Sequence, residues 1–137
     1  MPAYFLAKTE PSVYSIDHLK QDRQTTWDGV RNPQALQAIR AMQPGDRVFI
    51  YHSTGMSSVV GLAEVLSESR PDPKDEKSAV IDLKYLAHLE PPTSLAEVKE
   101  SGLFTDFALV RQSRLSTMAV PDAFVKWLRK KHPNAKI

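Results

Sequence analysis

The sequence predicts an α+β fold in which a curled antiparallel or mixed sheet carries a few short helices. Two observations predict it. Strand-like runs outnumber helical ones and lie next to each other in the middle of the chain. The regular βαβ alternation of a Rossmann fold is missing. At 137 residues the chain has the size of one domain and can close one core. No repeat, low-complexity tract or Gly/Ser linker divides it, so residues 1–137 are expected to form one domain.

The first strand is expected over Tyr4–Thr9, with Phe5 and Ala7 on one side and Tyr4 and Leu6 on the other. Glu10-Pro11 stops it, because proline donates no ladder hydrogen bond. Ser15–Gln21 fits a short helix. A better helix starts at Asn32, a good N-cap, with Pro33 in the first turn and Leu36, Ile39 and Met42 at helical spacing. Pro44-Gly45 ends it in a turn. Asp46–Ser53 is apolar on both faces, as a strand inside a barrel would be, and Val59–Leu66 pairs with it across a short loop. Gly61 within that second run predicts a bulge or a close approach of another backbone or a ligand. Val80–Leu86 alternates, with Ile81, Leu83 and Tyr85 opposite Asp82 and Lys84, and reads as a half-exposed strand. Ser94 and Glu97 have capping-box spacing, so Ser94–Ser101 is a short helix. Arg114–Val120 is the expected last strand. Pro121–Lys131 is a final helix whose apolar face holds Phe124, Trp127 and Leu128.

Composition excludes several functions. The chain has no cysteine, which removes disulfides, thiol catalysis and thiolate metal sites. No apolar run approaches the roughly 20 residues that span a bilayer, so no membrane role is expected. Lys8 comes too early for a signal-peptide core, and the expected location is the cytoplasm, with a monomer as the expected form. The four histidines (His18, His52, His88 and His132) lack metal-site spacing, so no metal is expected. No P-loop and no G-x-G-x-x-G occurs, so no nucleotide cofactor is expected. Residues 107–137 carry seven Lys/Arg against one Asp/Glu, a local +6, which suits phosphate backbones or simply a solvated helix face.

Polar and aromatic groups gather at predicted strand ends, where scaffolds present binding residues. Trp27 sits in a turn-like setting before Gly29 and either lines a pocket or plugs the barrel end. Asp28, Arg31 and Asn32 beside it would serve a base edge, or act as an Asx turn, a surface charge and a helix cap. Arg111 and Arg114, three apart, suit phosphate recognition or surface ion pairs. His52 and Ser53 contain residue types of a hydrolytic triad, but no G-x-S-x-G elbow accompanies them, so a hydrolase is the weaker reading.

Six blocks carry a family resemblance: K-T-E-P (Lys8–Pro11), W-D-G-V-R-N-P-Q-A (Trp27–Ala35), G-D-R-V-F-I-Y-H-S (Gly45–Ser53), V-V-G-L-A-E-V (Val59–Val65), R-P-D-P (Arg70–Pro73) and R-L-S (Arg114–Ser116). In these the chain resembles the EVE domain family. The resemblance implies a PUA-like fold, a small curled β-barrel of about five to six strands with short helices around it. It also implies a non-enzymatic domain that recognises a modified nucleic-acid base in DNA or RNA, such as methylated or hydroxymethylated cytosine. A small planar or anionic metabolite in the same cleft is the alternative. By motif match the implied ligand-binding residues are Phe5, Lys8, Thr9, Glu10, Trp27, Gly29, Val30, Arg31, Asn32, Tyr51, His52, Ser53 and Ser116, with Arg111 and Arg114 for phosphate. The family commonly has tryptophan where this chain has Phe5, and another near Ser78 and Ala79.

Overall fold

Two largely apolar strands form the centre of the sheet. β3 (Arg47–His52) and β4 (Ser58–Val65) run antiparallel, from Arg47 opposite Glu64 to His52 opposite Ser58. Both are almost wholly buried, as strands enclosed on two faces must be. β1 (Tyr4–Thr9) adds to β3 in parallel register, Tyr4 beside Arg47 through Thr9 beside His52. The computed structural model describes residues 2–137, which form seven strands and five helices.

On the other side of β4 lies β6 (Asp75–Ser94), which also pairs with β2 (Gln24–Trp27) and β5 (Arg70–Asp72). β7 (Thr117–Ala119) pairs with β1. The order across the sheet is β2-β6-β4-β3-β1-β7, with β5 as a side branch on β6. The sheet is therefore mixed and curled, with β2 and β7 at its two ends. It has seven strands rather than the expected five or six, because β2 and β5 are short, polar edge strands that periodicity does not reveal.

Five helices cover it: α1 (Ile16–Asp22), α2 (Pro33–Ala41), α3 (Leu95–Glu100), α4 (Ala108–Arg111) and α5 (Asp122–Lys131). Their starts follow the expected chemistry. Asn32 Oδ1 accepts from the Gln34 and Ala35 amides, and Ser94 with Glu97 closes a capping box. Ser15 does the same with His18 as the reciprocal partner. α2 packs against β7 at one end of the sheet and against β6, next to the other end. α5 buries Phe124, Val125 and Leu128, and Phe124 meets Phe49 edge-on at 6.2 Å between ring centres.

Three expectations need correction. β6 is far longer than Val80–Leu86, running from Asp75 to Ser94, because it pairs with β5 and β2 before and within that stretch and with β4 on to Ser94. The register between β4 and β6 passes from Val59–Thr93 to Gly61–His88, so residues 89–92 bulge out while pairing resumes beyond them. The last strand covers only Thr117–Ala119, since Leu115 N–H bonds to Gln112 O and closes a turn over Gln112–Leu115. Trp27 ends β2 opposite Ile81 rather than standing in a turn. Gly61 behaves as expected: the register of β4 shifts beside it against both β3 and β6, and a Cβ there would lie 3.0 Å from the backbone oxygen of Ala87 as well as against the Ile16 side chain.

Candidate functional site

The ends of the curled sheet come together around a cavity of about 440 Å³, within the usual range for small-molecule sites. Lys8 and Thr9 at the end of β1, and Ser116 just before β7, form one side. Thr25, Thr26 and Trp27 of β2 form the other, continued by Asp28, Gly29 and Val30. Val13 and Tyr14, from the turn between β1 and α1, complete the wall.

Trp27 is 8% exposed, so its indole is mostly packed and shows one strip to the cavity. Tyr14 meets it edge-on, 6.1 Å between centres at 85°. The Tyr14 hydroxyl donates to Asp22 Oδ2 at 2.8 Å, and its backbone oxygen accepts from Thr9 Oγ1 at 2.8 Å. Tyr14 is thus held at both its hydroxyl and its backbone, with its ring against Trp27. Gly29 has φ +79°, a conformation that favours glycine and lets the chain turn sharply away from β2.

Lys8 supplies the positive charge. Its Nζ donates to Ser113 O at 3.1 Å and lies 5.6 Å above the Tyr51 ring. Burial lowers its pKa below the ordinary lysine value, since a desolvated ammonium is disfavoured. Asp28 contributes an exposed carboxylate at the rim. The wall therefore combines an aromatic face, hydroxyls, one cation and one anion, the set of groups that a planar heterocycle with donors and acceptors can satisfy.

Six of the sequence-predicted residues meet at this cavity: Lys8, Thr9, Trp27, Gly29, Val30 and Ser116. The others lie elsewhere. Phe5 is buried in the core and Tyr51 is buried beneath Lys8. Glu10 is exposed, and its carbonyl accepts from the Val13 and Tyr14 amides, each at 2.9 Å. Asn32 is occupied as the cap of α2, while Arg31 lines a smaller adjoining cavity with Asp72, Lys74 and Asp75. Ser53 N–H donates to Thr9 O at 3.0 Å, tying the β3 end to the β1 end. Arg111 donates to Asp106 Oδ1 at 3.0 Å on the surface, and Arg114 is exposed beside Ser113.

His52 has a structural task. Its Nε2 accepts from the Ile16 amide at 3.1 Å, so the ring sits at the start of α1 as a neutral acceptor. Burial holds its pKa below the ordinary histidine value; the His88 ring acts the same way, and the Asp17 carboxylate opposes both. Sequence reasoning missed Val13, Tyr14, Thr25 and Thr26. The one available signal was the strand preference of Thr25-Thr26-Trp27.

Comparison with known proteins decides the family. The EVE domain model matches residues 3–131. The chain belongs to the EVE domain family. Among EVE relatives, human thymocyte nuclear protein 1 is 28% identical over 173 aligned positions, covering 98% of this chain and 77% of its own. A solution structure from Rhodopseudomonas palustris superposes with TM-score 0.87 at 40% identity, covering 96% of this chain and 93% of the other. A crystal structure of human THYN1 in complex with 5-methylcytosine-containing DNA superposes with TM-score 0.84 at 25% identity, covering 94% and 97%. The architecture is thus that of the PUA-like EVE proteins, in agreement with the fold expected from the sequence blocks. No described helix is long and apolar enough to cross a membrane.

Proposed function

We propose that this EVE domain binds a modified base of DNA, a 5-substituted cytosine, in the cavity walled by Trp27, and that it acts as a reader rather than an enzyme. One observation carries the proposal: two aromatic side chains, hydroxyls, a lysine and a carboxylate converge on one cavity with room for a base. The human relative crystallised with 5-methylcytosine-containing DNA supports the choice of ligand.

The roles follow from the chemistry of each group. Trp27 and Tyr14 offer aromatic surface to the base, a contact worth roughly 1–3 kcal/mol per stacked base. Asp28 accepts from the exocyclic amine of cytosine, which thymine lacks. Lys8, with Arg114 outside the cavity, meets phosphate. A binding role is favoured over hydrolysis because the His52 Nε2 lone pair is committed to the Ile16 amide and is not free to take a proton from Ser53.

The test is a low-salt anisotropy titration with oligonucleotides carrying cytosine, 5-methylcytosine or 5-hydroxymethylcytosine, repeated with free nucleotides. A preference for a modified oligonucleotide, weakened in Trp27→Leu and Asp28→Asn, is expected. Equal affinity for all oligonucleotides, or tight binding confined to free anionic nucleotides, would remove the proposal.

A further inference from the structure

Four large apolar side chains are exposed among the described residues: Val13, Met56, Leu66 and Leu103. Of these, Val13 alone lines the main cavity, and it is 73% exposed. A lone exposed valine is ordinary on a protein surface; Val13 differs from the other three in standing at the lining of this cavity on an anchored turn.

The segment that carries Val13 is stiff. Val13 N–H and Tyr14 N–H both donate to Glu10 O at 2.9 Å, closing a tight turn that contains Pro11. Thr9 Oγ1 clasps Tyr14 O at 2.8 Å, and His52 Nε2 receives Ile16 N–H at 3.1 Å just beyond. Both ends of the turn are thus anchored to the sheet, while its tip projects. A rigid turn holds an apolar side chain in a fixed place at no ordering cost when a ligand arrives.

A base in a duplex is stacked and paired, so it reaches a cavity only by swinging out, and the vacated space must be filled. Proteins that open base steps fill such gaps with apolar side chains. We infer that Val13 is the wedge that enters a DNA duplex and occupies the place left by the base that moves into the Trp27 cavity. This rests on the base-binding reading above and extends it to duplex DNA as the substrate form. Lys8 lies on the β1 side of the same cavity and Val13 on the turn that follows, so one contact neutralises backbone while the other separates bases.

The experiment compares wild type, Val13→Ser and Val13→Leu on a 5-methylcytosine single strand and on the matching duplex. Thermal unfolding checks that the exposed substitutions leave the fold intact. Val13→Ser is expected to weaken duplex binding about tenfold more than single-strand binding, which senses Val13 only as part of the cavity wall. Val13→Leu keeps duplex binding, and a mismatch opposite the modified base, which makes it easier to expel, narrows the Val13→Ser deficit. Unchanged duplex affinity in Val13→Ser overturns the wedge, as does an equal loss on both ligands, which would make Val13 an ordinary wall residue. A wild type that binds single strands and never duplexes overturns it as well, with the base reading intact. A wild type that binds neither ligand removes the base reading, and the wedge falls with it.

Discussion

Replacing Gly61 by alanine tests how the wall of the cavity is held in place. A Cβ at this position would lie 2.3 Å from Ile16 Cδ1, 2.6 Å from Ile16 Cγ1 and 3.0 Å from Ala87 O. Ile16 is the first residue of α1 and is 3% exposed, so its side chain has little room to swing aside. Ala87 O is backbone in β6 and cannot yield without moving the strand. Overpacking of this kind costs typically 1–3 kcal/mol, and two unyielding neighbours place it near the upper end, at about 2–3 kcal/mol. A chain of 137 residues unfolds with an entropy of roughly 290 cal/mol/K, so the melting temperature should fall by about 7–10 °C.

The informative measurement is a double-mutant cycle with Ile16→Ala, read by calorimetry. Ile16→Ala alone leaves a void and is itself destabilising by about 2–5 kcal/mol. The double variant should be less destabilised than the sum of the two by at least about 1 kcal/mol, because the new methyl occupies the space Ile16 vacates. Strict additivity would show that Gly61 and Ile16 do not share the contact. The claim that α1 is seated on β4 through this glycine would then be abandoned.

Trp27→Leu keeps apolar volume and removes the aromatic face, so binding to a modified oligonucleotide should weaken by about 5- to 100-fold, measured by anisotropy. In a Trp127→Phe background Trp27 is the remaining tryptophan, and its fluorescence should change on titration with modified oligonucleotide; a flat signal argues against contact. Arg114→Ala should lower the slope of log affinity against log salt by about one, while Arg111→Ala, whose guanidinium already pairs with Asp106 at 3.0 Å, should leave it nearly unchanged. His52 and His132 both have pKa values lowered first by burial, so the unfolded chain binds more protons than the folded one. Stability is therefore complete above the ordinary histidine value of about 6.5 and declines as pH falls below it. In His52→Gln, whose amide oxygen still accepts from Ile16, urea unfolding between pH 7 and 5 should show a shallower decline; an unaltered one would clear His52 of that role.

What could be read from the sequence was what strong local patterns decide. β1 and β3 were legible because their apolar runs are long and bounded by Pro11 and by Pro44-Gly45. Asn32 and Ser94 marked helix starts because a capping side chain acts on its own next few residues. Local pattern fell short in β6, where the alternation was legible only over Val80–Leu86 and pairing with β4 resumes past a bulge at residues 89–92. β2 was illegible because Gln24–Trp27 is polar and held as a strand only by the long-range register with Ile81–Lys84. That miss carried over to the site. Lys8 and Trp27 stood out by residue type, but Thr25 and Thr26 needed β2, and Val13 and Tyr14 needed the turn. Asn32 could serve as a cap or read a base edge, and the structure spends its side-chain oxygen on the cap.

The position of the cavity follows from how the sheet curls. An edge strand leaves backbone donors and acceptors unpaired, and proteins cover such edges, charge them or keep them short. Here both ends of the sheet are short, four residues in β2 and three in β7, and α2 reaches across to both β6 and β7. The curl brings the ends close enough to share a wall without joining them, and the space left between them is the cavity. A strand paired on both sides has its backbone groups consumed; an edge strand does not. The seam is thus where this fold has polar groups to spare beside an aromatic one, because Trp27 ends the edge strand β2, while Ser116 just before the other edge strand β7, and Lys8 near the end of β1, line the gap with it. Closing the sheet into a full barrel would satisfy the edges and abolish the site.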